Sequence, residues 1–265
     1  MDKMRKHEPD SRNFVGGFAR GLAVIEAFGN ASEPLSLAAV AERAGVDRAV
    51  ARRMLLTLVE LGFAIQSNKT FQLTPRIMRL GYAFVSQAGL DGLVRPLLEA
   101  LSNRLGESVS VSVLDDLEAV SVFHVTSPQR KTGFLLREGS RWPAYLMASG
   151  RVLLAALPDE EVARRFARMD LHASTPKTLT DPRSLLQAVR QAREHGYALV
   201  NEELETGWAS VSVPVRDRAG RVVASLNTNT TLARQSPEQL VANGVPLLSE
   251  AAADLGRILP DRAFG

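Results

Sequence analysis

The sequence predicts a two-domain protein: an N-terminal winged helix-turn-helix, all-α plus a wing, followed by a C-terminal α+β domain built on an antiparallel sheet. Three observations predict it. Residues 36–61 read as two capped helices joined by a glycine turn. Residues 63–73 read as a tight hairpin directly behind them. Beyond residue 92, runs of period two are interspersed with amphipathic helical stretches.

Taken in order, residues 1–12 are charged and read as a disordered tail. Residues 14–28 place Phe18, Leu22, Ile25 and Phe28 at helical spacing, and Gly29-Asn30 ends that helix. Glu33-Pro34 is a turn. Ser36 caps a second helix with an apolar face of Leu37, Val40, Ala41 and Ala44, and Gly45 supplies the positive φ of the next turn. Asp47 caps a third helix, whose buried stripe is expected along Val50, Met54, Leu58 and Leu61, with Leu55 beside it.

The polar side of that third helix carries Arg48, Ala49, Arg52 and Arg53. Gly62 stops it, and two strand-like runs, residues 63–66 and 70–73, flank Ser67-Asn68-Lys69. A basic helix after a glycine turn, backed by a wing with Lys69 at its tip, suits a DNA major groove and its flanking phosphates. The rival reading is an ordinary helical hairpin with a solvated arginine face; the order of turn, capped basic helix and hairpin favours DNA.

Thr74 and Pro75 open a connecting helix over residues 75–91, and Asp91-Gly92 marks the expected domain boundary. The resulting partition is 13–74 for the DNA-binding domain and 92–260 for the second domain. There, residues 93–105 are helical, 108–113 alternate as a half-buried strand, and 118–125 are its hairpin partner. Phe134-Leu135-Leu136 reads as a third strand. Helices are expected at 147–157, 159–168, 182–194 and 236–259, and strands at 197–200, 209–215 and 221–229.

Composition narrows the function. The 265 residues contain no cysteine, which excludes disulfides, a Cys-ligated zinc and a thiol nucleophile. The polar N-terminus lacks the apolar core of a secretion signal, and no apolar run is long enough for a bilayer, so a cytoplasmic protein without membrane association is expected. Residues 1–90 hold 12 basic and 8 acidic side chains, a net +4, against a net of +3 for the whole chain. The excess positive charge therefore lies with the helix-turn-helix, as a polyanion partner requires. His7, His124, His172 and His195 lack metal-ligand spacing, and nucleophile elbows, phosphate loops and dinucleotide turns are missing. No metal, cofactor or catalytic group is expected, although an Asp/Glu pair and a protein-docking role for the winged helix stay open.

The chain resembles the IclR family of bacterial transcriptional regulators over nearly its whole length. The family pattern appears as Gly196, Glu203, Ser210-Val211-Ser212, Val215 and Asp217. Val200 stands where Asp or Ser is usual, and Arg216 where an aromatic or His is usual; Asn201 is placed to take over the first polar role. Residues 18–25, 56–62, 110–115, Pro143-Ala144-Tyr145 and 150–155 resemble the branch that regulates protocatechuate, 4-hydroxybenzoate and β-ketoadipate catabolism. The resemblance implies a GAF-like second domain that senses a small organic acid. It further implies binding to a double-stranded DNA operator as a homodimer or dimer of dimers, and contact with RNA polymerase if the protein activates.

The same resemblance implies an effector site. Ala148, Ser149 and Gly150 would open a helix whose free N–H groups suit a carboxylate. Ser210 takes the small position of the pattern, and Asn227 and Asn229 share one face of the last strand, where asparagine is otherwise uncommon. Arg141 and Trp142, on a loop leading to that helix, and Tyr145 beyond them offer a carboxylate grip and ring stacking; core packing is the rival role for the two aromatics. His124, on an apolar strand, is the remaining candidate.

Overall fold

The computed structural model describes residues 14–29, 31, 33–80, 90–129 and 137–259. The chain divides into two compact units, Met1–Phe84 and Val85–Gly265. No described helix is long and apolar enough to cross a membrane.

In the first unit, α1 (Gly16–Glu26), α2 (Leu37–Ala44) and α3 (Arg48–Glu60) enclose Val24, Val40, Leu55, Leu58 and Phe71. Local chemistry sets their ends. The Ala39 N–H donates to Ser36 Oγ at 3.2 Å, and the Val50 N–H to Asp47 Oδ1 at 2.8 Å. Gly45 sits at φ +64 between α2 and α3, a conformation most side chains resist.

The core face of α3 is displaced from the expected one by about one position along the helix. Ala51, Leu55 and Leu58 are buried, Val50 and Met54 are half-buried, and Leu61 is 52% exposed. Leu61 lies in the turn that leaves the helix, and the small Ala51 is fully buried in its place on the core side. Behind α3, β2 (Ala64–Ser67) and β3 (Thr70–Leu73) form the hairpin. An unanticipated two-residue strand, β1 (Leu35–Ser36), adds to its far edge through Leu35↔Phe71 and Ser36↔Thr70. Thr74 caps as expected, Pro75–Ile77 is one turn of 3-10 helix, and Met78, Arg79 and Leu80 continue it as α-helix up to the last described residue before 81. The rest of the anticipated connecting helix, residues 81–89, lies outside the described residues.

In the second unit, the described residues form six antiparallel strands in the order β6-β5-β4-β9-β8-β7. They are β4 (Val109–Asp115), β5 (Glu118–Val125), β6 (Arg141–Pro143), β7 (Ala198–Asn201), β8 (Trp208–Arg216) and β9 (Val222–Thr231). Alternation gives the sheet two unlike faces. Val109, Val111, Ala209, Val211, Val213 and Leu226 pack against α4 (Leu90–Leu105) and the long α8 (Pro237–Ile258). The other face carries hydroxyl and amide side chains, and α5 (Ala148–Leu154) lies across it against β4, β7, β8 and β9. Outside α5, α7 (Pro182–His195) packs on α5 and β7, and α6 (Asp159–Phe166) packs on α7.

Three expectations change here. β4 is buried on both faces rather than one, because α5 covers Ser110 and Ser112. The helix expected from residue 93 already includes Leu90, Asp91 and Gly92, with the Asp91 carboxylate accepting from Arg95 one turn on. Arg141, Trp142 and Pro143 form an edge strand paired to β5 rather than a loop. The strand expected at residues 134–136 lies outside the described residues.

Candidate functional site

Two surfaces gather the residues singled out by sequence. On α3, Arg48 and Arg52 stand one turn apart on the same exposed side, with Ala49 and Arg53 exposed beside them. None of these arginines forms an ion pair among the described residues. Lys69 is exposed at the hairpin tip, next to Asn68 at φ +53, where Gln66 Nε2 donates to the Asn68 carbonyl at 3.3 Å. Asn68 is one of the few residue types that tolerate this geometry, so the turn holds Lys69 outward.

The second surface is a narrow, open cleft at the polar face of the large sheet, with an enclosed volume of about 30 Å³. Ser210, Asn227 and Asn229 form its polar side. Register explains why they meet: Ser210 pairs with Asn229, and Asn227 lies between Ser110 on β4 and Ser212 on β8. Asn227 and Asn229 are 3% and 7% exposed, so amide groups have been buried where valine would cost nothing. Met147, Val200, Leu204 and Trp208 supply apolar walls, and Glu205 lies at the edge. An apolar slot with a few convergent polar groups on one side is suited to a small, flat, polar-ended molecule.

Ala148, Ser149 and Gly150 are buried in the first turn of α5, immediately after the cleft residue Met147. Gly150 also has a packing reason to be glycine: a Cβ there would overlap the Ala144 backbone. Gly150→Ala should therefore destabilise the second domain by about 1–3 kcal/mol through overpacking, read as a lowered midpoint in thermal unfolding.

The other candidates are placed apart from the cleft lining. Arg141 donates to Glu118 Oε2 at 2.8 Å and to Asp115 Oδ2 at 2.5 Å, so acidic neighbours on the β4–β5 hairpin already hold the guanidinium expected to grip a ligand. Trp142 pairs with Ala119 at the sheet edge. Tyr145 is fully buried among Leu146, Leu154, Phe166 and Leu185; its Oη donates to the His172 carbonyl at 2.9 Å and accepts from the His172 N–H at 3.1 Å. Burial pushes its phenol above the usual range. His124 Nδ1 lies 2.7 Å from Ser110 Oγ, two strands from Asn229. Asn201, at the end of β7, has a buried Oδ1 without a hydrogen-bond partner among the described residues.

Sequence reasoning missed the walls: Met147, Leu204, Glu205 and Trp208. Val200 was noticed only as a departure from a pattern, yet it pairs with Ser210 and makes one wall apolar. That substitution of valine for a polar type was the available signal. The turn carrying Leu204 and Glu205 is tightly held: Glu202 sits at φ +57, its Oε1 accepts from the Gly207 N–H at 2.9 Å, and its other oxygen meets Lys177. The Lys177 ammonium, then the Gly207 amide, keep the Glu202 carboxyl below its ordinary range.

Comparison with known proteins identifies both domains. Residues 18–67 match the model of the IclR helix-turn-helix domain, and residues 82–257 that of the bacterial transcriptional regulator IclR C-terminal domain. The Pca regulon regulatory protein of Pseudomonas putida is 36% identical over 94% of this chain and 84% of its own length. The p-hydroxybenzoate hydroxylase transcriptional activator of Acinetobacter baylyi is 33% identical over 94% of this chain and 93% of its own. Among solved structures, a double mutant of the PobR transcription factor inducer-binding domain from Acinetobacter, complexed with 3-hydroxybenzoic acid, superposes with a TM-score of 0.59. It is 29% identical and covers 63% of this chain and 97% of that one.

Proposed function

The chain belongs to the IclR family of bacterial transcriptional regulators, and from that premise we propose that it switches an aromatic-acid catabolic operon in response to a small carboxylic acid. In this reading residues 13–74 are a winged helix-turn-helix whose α3 enters the major groove, Arg48 and Arg52 meeting base edges with Ala49 beside them at the DNA, while Arg53 and Lys69 meet phosphates. Residues 75–91 connect to a GAF-like sensor over residues 92–260. The reading includes no catalytic step and no cofactor, and the protein works in the cytoplasm, with RNA polymerase as a further partner if it activates.

The observation that carries the sensor is the half-buried Ser210 beside the buried Asn227 and Asn229, beneath apolar walls. An aromatic or β-keto acid would lay its body against Val200, Leu204 and Trp208. Its carboxylate would meet the first-turn N–H groups of α5 at Ala148–Gly150, and its other polar end Ser210 and the two asparagines. A homodimer, or a dimer of dimers, supplies two recognition helices for a two-fold operator. Phe14 just before α1, and Phe18 and Leu22 on it, 52%, 69% and 41% exposed, together with Met78 and Leu80 at 70% and 52%, support α1 and the connecting helix from Pro75 as the contact surface.

The test is a gel shift on the protein's own upstream DNA, with calorimetry against protocatechuate, 4-hydroxybenzoate and β-ketoadipate. One acid should bind and change operator affinity, and operator DNA should change that acid's affinity by the same factor. Binding of none of the three would overturn the sensor assignment.

A further inference from the structure

A buried ion pair stands behind the cleft wall. Arg151, on α5, is 3% exposed at its side chain and Glu203, in the β7–β8 turn, 10%. Their contact is bidentate: Nη1 donates to Oε1 at 2.8 Å and Nη2 to Oε2 at 2.5 Å. The pair is also fully engaged with its surroundings. Arg151 Nε donates to the Tyr145 carbonyl at 3.1 Å, and the Leu179 N–H to Glu203 Oε2 at 3.2 Å. Two hydroxyls secure the turn's backbone from the same side, Thr175 Oγ1 donating to the Glu202 carbonyl at 2.6 Å and Thr178 Oγ1 to that of Glu203 at 2.5 Å.

Burying such a pair is a poor route to stability, since apolar side chains of similar volume commonly do as well or better. What the pair does supply is position. It joins three segments, α5, residues 175–179 and the turn after β7, at one carboxylate. The residue after Glu203 is Leu204, and Leu204, Glu205 and Trp208 all line the cleft. Resting on the sensor reading above, we propose that Arg151 and Glu203 are positioning residues that hold this wall ready for the effector, so that binding need not first order it.

The test separates position from stability. Trp208 is one of two tryptophans, so a Trp142→Phe background makes its fluorescence report on the wall alone. In that background the double variant Arg151→Met/Glu203→Leu should still unfold cooperatively, but acrylamide should quench Trp208 several-fold more strongly. Affinity for whichever of protocatechuate, 4-hydroxybenzoate or β-ketoadipate binds should drop roughly ten- to hundredfold, because the wall must then be ordered on binding. A folded double variant with unchanged quenching and unchanged affinity overturns the proposal. Should the double variant fail to fold, Glu203→Gln, which keeps the shape and one acceptor, takes its place, and unchanged Trp208 quenching in it is equally fatal. If Trp208 responds as expected while the unsubstituted protein binds none of the three acids, the wall assignment stands and the sensor reading falls.

Discussion

Arg52→Ala is expected to weaken operator binding by on the order of 1–3 kcal/mol, roughly 5- to 150-fold, and to relax discrimination at one base position. The reason is geometric. Asp47 caps α3, so the helix starts at a defined point and presents Arg48 and Arg52 on one exposed side. A guanidinium there can donate two parallel bonds to a guanine edge, which alanine cannot replace. Lys69→Ala, at the hairpin tip, should act differently. It should weaken all sequences about equally and flatten the salt dependence by about one unit of slope, as loss of one phosphate contact requires. Anisotropy titrations with the operator and its single-base variants at several salt concentrations check both. Operator binding by Arg52→Ala at unaltered strength would remove α3 from the groove.

Ser210→Leu should block the sensor while leaving the sheet intact. Ser210 is half-buried at the polar side of the cleft, facing its neighbours Val200 and Asn229 across β7 and β9. A leucine there projects into open space rather than into packed core, so β8 keeps its pairing on both sides. The effector then meets a filled slot and loses a polar contact. Its affinity should fall by on the order of 1–3 kcal/mol, and the effector-dependent change in operator binding should vanish. Operator binding without effector should persist. Calorimetry beside a gel shift distinguishes this from general damage: a variant that binds the acid as well as before would place the ligand elsewhere.

What could be read from sequence was what local chemistry determines. Ser36, Gly45 and Asp47 act within four residues of themselves, so the helix-turn-helix was legible down to its caps. The turn at Asn68 was legible for the same reason. Strand β1 was not: two residues carry no periodicity, and Leu35 becomes a strand only because Phe71 is beside it. The core line of α3 was off by one because alanine counts little in a hydrophobic pattern yet Ala51 is fully buried.

In the site, Ser210, Asn227 and Asn229 were legible because alternation puts the two asparagines on one face, and register then brings Ser210 opposite. Arg141 looked available because nothing local announces that Asp115 and Glu118 hold it. Glu203 meets Arg151 across 52 residues of chain, and Trp208 reaches the cleft only once β7 and β8 have paired. Such partnerships are properties of topology and leave no mark on a short stretch of sequence.

The two faces of the large sheet divide labour in a way that bears on how such a sensor changes over generations. Along β9, Leu226 belongs to the core over α8, while its neighbours Asn227 and Ser225 belong to the opposite, polar face. A mutation at Asn227 or Asn229 is therefore expected to alter the cleft while leaving the core over α8 untouched. In the sensor reading, altered ligand preferences are expected to lie one substitution away from this chain. A library confined to residues 210, 227 and 229 should accordingly be rich in stable proteins with altered inducers, whereas one confined to residues 211, 226 and 228 should be dominated by chains that do not fold.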